Sequence, residues 1–199
     1  NMPVCSSLYK PNDEFLKLYN NLNTAYLKNT IEIETTSLDE FSKNNNLGSV
    51  DFIKVDIQGA ELDVFKGGKK TLEKTLMIVS EVEWVEHYIN QPLFGDVCNY
   101  LIKYNLMFNK FLGLAGRALK PISFNNNPNL PSQHIWTDAV FIHHIQKIHK
   151  LNDEQLIKLS LLACVYNTLD LTFFCLSEYD KRYSTSIAKE WMDEIISKK

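Results

Sequence analysis

The segment Val50–Ile57 (VDFIKVDI) is β-branched and aromatic, broken only by Asp51, Lys54 and Asp56. A run of this kind reads as a buried strand in a covered sheet. It leads directly into Gln58-Gly59-Ala60, where a helix is predicted to open and run to about Phe65. Gly67-Gly68 stops that helix. Leu76–Val82 (LMIVSEV) is a second buried strand. Two buried strands joined by a helix require a crossover, which in a single sheet is right-handed and parallel. The chain is therefore committed to an α/β fold.

The flanking segments extend that unit. Asn12-Asp13 caps a loose helical pattern over 12–29, carried by Phe15, Leu16, Leu18, Tyr19 and Leu22. Ile31, Ile33 and Thr35 alternate with Glu32, Glu34 and Thr36, which predicts a strand. Ser37 and Glu40 stand at capping-box spacing before a short helix. Pro92 starts a helix whose apolar face is Leu93, Phe94, Val97, Cys98, Leu101 and Ile102. Leu106–Leu112 is a third strand and Ala139–Ile142 a last one. The irregular Gly, Pro and Asn-rich stretch 113–137 between them lets these two strands pair antiparallel at one edge of a mostly parallel sheet. Gly113-x-x-Gly116 reads as an ordinary turn. The chain turns helical from Asn152, with Gln155 at capping-box spacing, and a second helix spans Thr185–Ser197. The organisation is then an α/β domain over 1–150 and a helical appendage over 151–199.

Composition narrows the partners. With 21 Lys+Arg against 24 Asp+Glu and a net charge of −3, no basic stripe is available for nucleic acid. The most hydrophobic window, 156–176, contains Lys158, Asn167 and Asp170, which suits a buried or interface helix better than a membrane span. Cys5, Cys98, Cys164 and Cys175 stand far apart, and no Cys-x-x-Cys occurs. Neither a zinc site nor a disulfide framework is encoded, and a reducing, cytoplasmic setting is the simpler expectation. Residues 1–15 carry no basic-then-apolar pattern and do not read as a signal peptide. None of the seven glycines builds a Gly-x-Gly-x-x-Gly loop.

The stretch Asp51-Phe-Ile-Lys-Val-Asp-Ile-Gln-Gly-Ala-Glu-Leu-Asp-Val-Phe-Lys-Gly-Gly68 resembles the FkbM-family methyltransferases. Glu81-Val-Glu83, Gln91-Pro-Leu-Phe94, Trp136-Thr-Asp-Ala-Val-Phe141, Ser6-Ser-Leu-Tyr-Lys-Pro-Asn12 and Thr36-Ser-Leu-Asp39 add to the likeness, in the expected order. It covers about residues 4–143. The resemblance implies a Rossmann-like class I methyltransferase sheet and transfer of a methyl group from S-adenosylmethionine to a hydroxyl of a sugar or secondary metabolite. The glycine-rich loop after the family's first strand, and the acidic residue after its second, have no counterpart here. The expectation is a chain like the C-terminal part of such a domain, with weak cofactor binding on its own. The alternative is a non-catalytic remnant serving as an interaction or glycan-binding module.

In open α/β sheets the ligand crevice lies beyond the carboxyl ends of the strands. Asp56 stands at such an end, as do Glu81 and Glu83, and neighbouring strands lie about 5 Å apart. Methyl transfer to a hydroxyl needs alignment and a proton acceptor. Asp56 is the first candidate base, Glu81 the second and His87 the third. Asp56, Ile57, Gln58 and Gly59 form the expected cofactor wall. Glu83, Trp84, Tyr88 and Trp136 are the candidate acceptor contacts. Each residue has a plainer role to weigh: Asp56 as a helix cap, Glu81 and Glu83 as ion-pair members, His87 as a satisfied histidine, the aromatics as core, and Gly59 as a packing glycine. A small-molecule or glycan acceptor is the expected partner. Self-association through a sheet edge or the 156–176 helix is also expected.

Overall fold

A computed structural model of the chain describes residues 5–127 and 133–197. The elements are α1 (Asp13–Leu16), α2 (Leu38–Asn44), β1 (Phe52–Val55), α3 (Glu61–Lys66), α4 (Lys69–Leu72), β2 (Met77–Glu83), α5 (Phe94–Leu101), β3 (Leu106–Phe111), β4 (Ala115–Gly116), β5 (His134–His143), α6 (Asp153–Val165), α7 (Leu169–Tyr183) and α8 (Ile187–Ser197). The chain divides into two compact units, Asn1–Phe141 and Ile142–Lys199.

The strand-helix-strand unit is present. β1 and β2 are parallel, with Val55 opposite Ser80. The crossover holds two short helices, because Gly67-Gly68 interrupts it. A Cβ on Gly68 would fall 2.7 Å from Leu38 Cδ2, so glycine there lets the α2 segment approach. Asp39 of α2 accepts from the backbone N–H of Lys70 at 3.0 Å and of Thr71 at 2.9 Å. It thereby satisfies α4 from another element.

The sheet runs β1-β2-β5-β3, and β4 pairs antiparallel with β5. The fold is α/β with a mixed sheet. β5 lies inside the sheet next to β2 and leaves β3 at the edge. Ile53, Val55, Phe65, Ile78, Leu101 and Phe141 form the centre of the core. The capping box at Ser37 and Glu40 is present, with both reciprocal bonds made.

Several expectations are corrected. The helix over 12–29 shrinks to α1 and a 3-10 turn at Asn23–Ala25. Asn20 instead donates through its side chain to the carbonyls of Ala118 and Ile122, and Asn21 adopts φ 57°. The strand over 31–36 does not form; Ile31 and Ile33 are 74% and 61% exposed, and no strand among the described residues pairs with them. Alternation is only a potential for a strand, and without a partner edge its backbone has no ladder to join. β5 begins at His134, not Ala139, so the irregular stretch is shorter at its end; residues 128–132 of it lie outside the described residues.

In the second unit the apolar window 156–176 is not one helix. It breaks at Asn167, which takes φ 53°, and α6 and α7 lie on either side. Asn152 and Gln155 complete their capping box. Arg182 ties α7 back through Asp153 at 2.7 Å and the Leu151 carbonyl at 2.7 Å. Asp180 caps α8 by accepting from the Ile187 and Ala188 amides. No helix among the described residues is long and apolar enough to cross a membrane.

Candidate active site

Because Val55 pairs with Ser80, the next residues along, Asp56 and Glu81, stand side by side where β1 ends. The backbone then turns sharply. Gln58 has φ 60° and Gly59 φ 98°. A Cβ on Gly59 would meet Tyr88 Cδ2 at 3.0 Å and Gln91 Nε2 at 3.2 Å, so this glycine serves close packing. Glu61, 3% exposed, holds the turn by accepting from the Ile57 amide at 2.9 Å and the Gly59 amide at 3.2 Å through one oxygen. Asp56 does not cap α3, whose N-cap is Ala60 with no side-chain bond. The Asp56 carboxylate accepts from Gln58 Nε2 at 3.1 Å.

Gln58 connects the group. Its amide also donates to Glu81 Oε2 at 2.8 Å, and its Oε1 accepts from the Tyr88 hydroxyl at 3.2 Å. Asp56 and Glu81 open on a cleft of about 210 Å³ walled by Gly113, Leu114, Trp136 and Asp138. Lys54 Nζ reaches Asp138 at 2.6 Å and stands 4.0 Å from Asp56. Beyond the Gln58 turn lies a larger cavity of about 520 Å³, bordered by Ser7, Tyr9, Tyr26, Ile31 and Tyr88. Ser7 Oγ donates to the Gln58 carbonyl at 2.6 Å, so a residue that borders this larger cavity is tied to the turn that follows Asp56.

Other expected residues stand apart. The Trp84 ring packs edge-on against Phe111 at 5.3 Å. The His87 ring lies between Phe15 and Trp136, with Nε2 buried and without a hydrogen-bond partner. Burial, reinforced by the charge of Arg117, lowers its pKa to about 4. A histidine in that state is a packing residue with little basicity. Arg117 itself stacks 4.7 Å over the Trp136 ring. The sequence reading missed Glu61 and Asp138 as site members. Their signal was present, since both fall inside the quoted stretches Asp51–Gly68 and Trp136–Phe141.

The carboxyl groups divide by burial. Desolvation first, then the charges of Asp56 and Glu61, pushes Glu81 up to about 8. Desolvation, then Glu61, Glu81 and Asp56, pushes Glu83 up to about 9, opposed by the side chain of Gln91. Both groups hold a proton at neutral pH, so Glu81 offers a hydrogen-bond donor while Asp56 presents an acceptor to the cleft. Asp56, Glu61 and Glu81 bring oxygens within 4.8 Å of one another. That spacing alone would suit a cation, but the Gln58 amide already bridges Asp56 and Glu81, and Glu61 is occupied by backbone N–H groups.

These raised values fix a pH dependence. The folded chain keeps protons that the unfolded chain releases near pH 4.5. Their stabilisation is complete below that value and is lost as pH rises towards about 8 and 9. His87 has the opposite sign, its contribution falling away as pH drops from 6.5 to about 4. Glu83→Gln should therefore leave the melting temperature nearly unchanged at pH 5 and raise it by several °C at pH 9 relative to the parent chain. A difference independent of pH would mean that Glu83 is ionised in the fold.

Residues 10–108, which contain the turn, Glu81, Glu83 and Gln91, match the family described as the methyltransferase FkbM domain. The chain belongs to the FkbM methyltransferase family. It is 37% identical over 89 residues to the 2-O-methyltransferase NoeI of Sinorhizobium fredii (strain NBRC 101917 / NGR234), an overlap of 45% of this chain and 37% of the relative. The matched segment thus spans well under half the length of that curated relative. No solved structure matches the chain. Trp136, Asp138 and the residues from Leu112 to Ala115 lie beyond the matched FkbM segment, so that wall of the cleft is outside the family match.

Proposed function

We propose that the FkbM domain of this protein transfers a methyl group from S-adenosylmethionine to a hydroxyl of a small-molecule or glycan acceptor, on a Rossmann-like sheet. The observation that carries this reading is the pairing of Asp56 and Glu81 at the carboxyl end of parallel strands, facing one cleft. S-adenosylmethionine supplies an electrophilic methyl group on a positively charged sulfur. The Asp56 and Asp138 carboxylates on the cleft suit that charge. The larger cavity, with Tyr9, Tyr26 and Tyr88 on its border, is of a size ligands occupy and suits an aromatic base.

The chain's own groups then have separate tasks. Asp56, exposed to the cleft, accepts the proton of the acceptor hydroxyl as its oxygen bonds to carbon. Glu81 keeps its proton and donates a hydrogen bond that orients the acceptor. Trp136 supplies an apolar wall that excludes water from one side. Alignment of the oxygen with the methyl carbon is the larger contribution, since the leaving sulfur needs no acid.

The direct test is incubation of the full-length protein with S-adenosylmethionine carrying a labelled methyl group and a panel of sugars and hydroxylated metabolites. Label in an acceptor, with release of S-adenosylhomocysteine, is the expected result. Saturable glycan binding without label transfer would favour the interaction-module reading.

A further inference from the structure

We infer that Gln58 is a positioning residue whose side-chain amide holds Asp56 and Glu81 in one arrangement at the cleft, with Tyr88 holding the amide. The inference rests on the methyl-transfer reading only for its consequence in catalysis; its geometry stands independently.

Two carboxyl groups this close repel whenever both are charged. The structure answers with an NH2 group, whose two N–H bonds match two acceptors. One reaches Asp56 Oδ1 at 3.1 Å and the other Glu81 Oε2 at 2.8 Å. The opposite end of the amide accepts the Tyr88 hydroxyl at 3.2 Å. A flipped amide would set its oxygen against the Asp56 carboxylate, so the observed orientation is the one that satisfies Asp56, Glu81 and Tyr88 together. Tyr88 is 2% exposed, and its backbone N–H is bound by Gln91 Oε1 at 2.8 Å, so the hydroxyl is itself fixed. The backbone of Gln58 is pinned at φ 60° by Ser7 on its carbonyl and by Glu61 on the flanking amides.

The other charged groups around the pair do not duplicate this. Lys54 is committed to Asp138 and is 4.0 Å from Asp56. Glu61, Glu83 and Asp138 add only negative charge on ionisation. The Gln58 amide is thus the group that bonds both carboxyls at once. It takes the place a bridging cation would take and makes the arrangement independent of one.

The test is a carboxyl ¹³C NMR titration of the whole chain labelled at Glu and Asp, with the Glu81 resonance assigned by Glu81→Gln. Gln58→Met keeps the length and removes the donors. Donors to the charged form lower a carboxyl pKa, so their loss should raise the Glu81 midpoint by about one unit, a tenfold change in proton affinity. Tyr88→Phe removes only the hydroxyl and should give a smaller shift in the same direction, which covers the case of Gln58→Met failing to fold. An unmoved Glu81 midpoint in a folded Gln58→Met chain, or in Tyr88→Phe if Gln58→Met is unfolded, overturns the inference. In a working methyl-transfer assay, Gln58→Met should lower kcat about tenfold with the donor KM nearly unchanged. A parent chain without methyl transfer would count against the functional reading alone, because the NMR titration needs no donor.

Discussion

Asp56→Asn is expected to slow methyl transfer by about 10²–10⁴-fold while leaving affinity for the methyl donor within a few-fold. The substitution keeps the size of the side chain and its acceptor oxygen for the Gln58 amide. It removes the group that takes the hydroxyl proton. Glu81 cannot substitute well, because burial and neighbouring carboxylates hold its proton to about pH 8. His87 cannot either, with its ring packed between Phe15 and Trp136. Glu81→Gln should show a smaller loss, since an amide still donates a hydrogen bond where the protonated carboxyl did. The measurement is initial rate of S-adenosylhomocysteine release with a competent acceptor, alongside calorimetric donor binding. Undiminished turnover in Asp56→Asn would remove Asp56 as the base and leave alignment as its whole contribution.

Phe65→Ala should cost about 3–5 kcal/mol of stability. Phe65 is fully buried on α3, within the core that includes Ile53, Val55, Ile78, Leu101 and Phe141. Truncation removes the ring's transfer energy and leaves a cavity beneath the crossover. That is a large share of the roughly 5–15 kcal/mol that holds an ordinary domain together. The same helix anchors Glu61, which in turn holds the Gln58 turn. The loss should therefore disturb the site before the unit unfolds. Urea denaturation followed by circular dichroism reads the effect, with Phe41→Ala as comparison because Phe41 is 49% exposed. The exposed site should change by less than about 0.5 kcal/mol. Equal, small losses at both positions would mean that α3 contributes little to the core.

The features legible in the sequence are those made by neighbours along the chain. Ser37 and Glu40, or Asn152 and Gln155, close their capping boxes within three residues, so spacing alone announces them. The composition of Val50–Ile57 and Leu76–Val82 marks two strands whose separation demands a parallel crossover, and Asp56 at the end of the first follows from that. The resemblance of the Asp51–Gly68 stretch to FkbM methyltransferases was likewise carried by contiguous residues.

Tertiary structure decided whatever depends on a distant partner. Ile31 to Thr36 alternates like a strand, yet no strand among the described residues pairs with it, because strand formation is settled by an available edge rather than by pattern. The window 156–176 carries an apolar pattern across Asn167, but that residue's left-handed turn divides it into two helices. His87 has the chemistry of a base, and only its burial between Phe15 and Trp136 takes that chemistry away. Gln58 gave no sign that its amide would join Asp56 to Glu81, which lies 23 residues further along. Local pattern thus announced the capping boxes, the β1–β2 crossover and the strand-end carboxylate, since those depend on short-range sterics and hydrogen bonds. Protonation, the reach of the amide and the shape of the cleft came from the tertiary structure, because desolvation and pairing act between residues that only folding brings together.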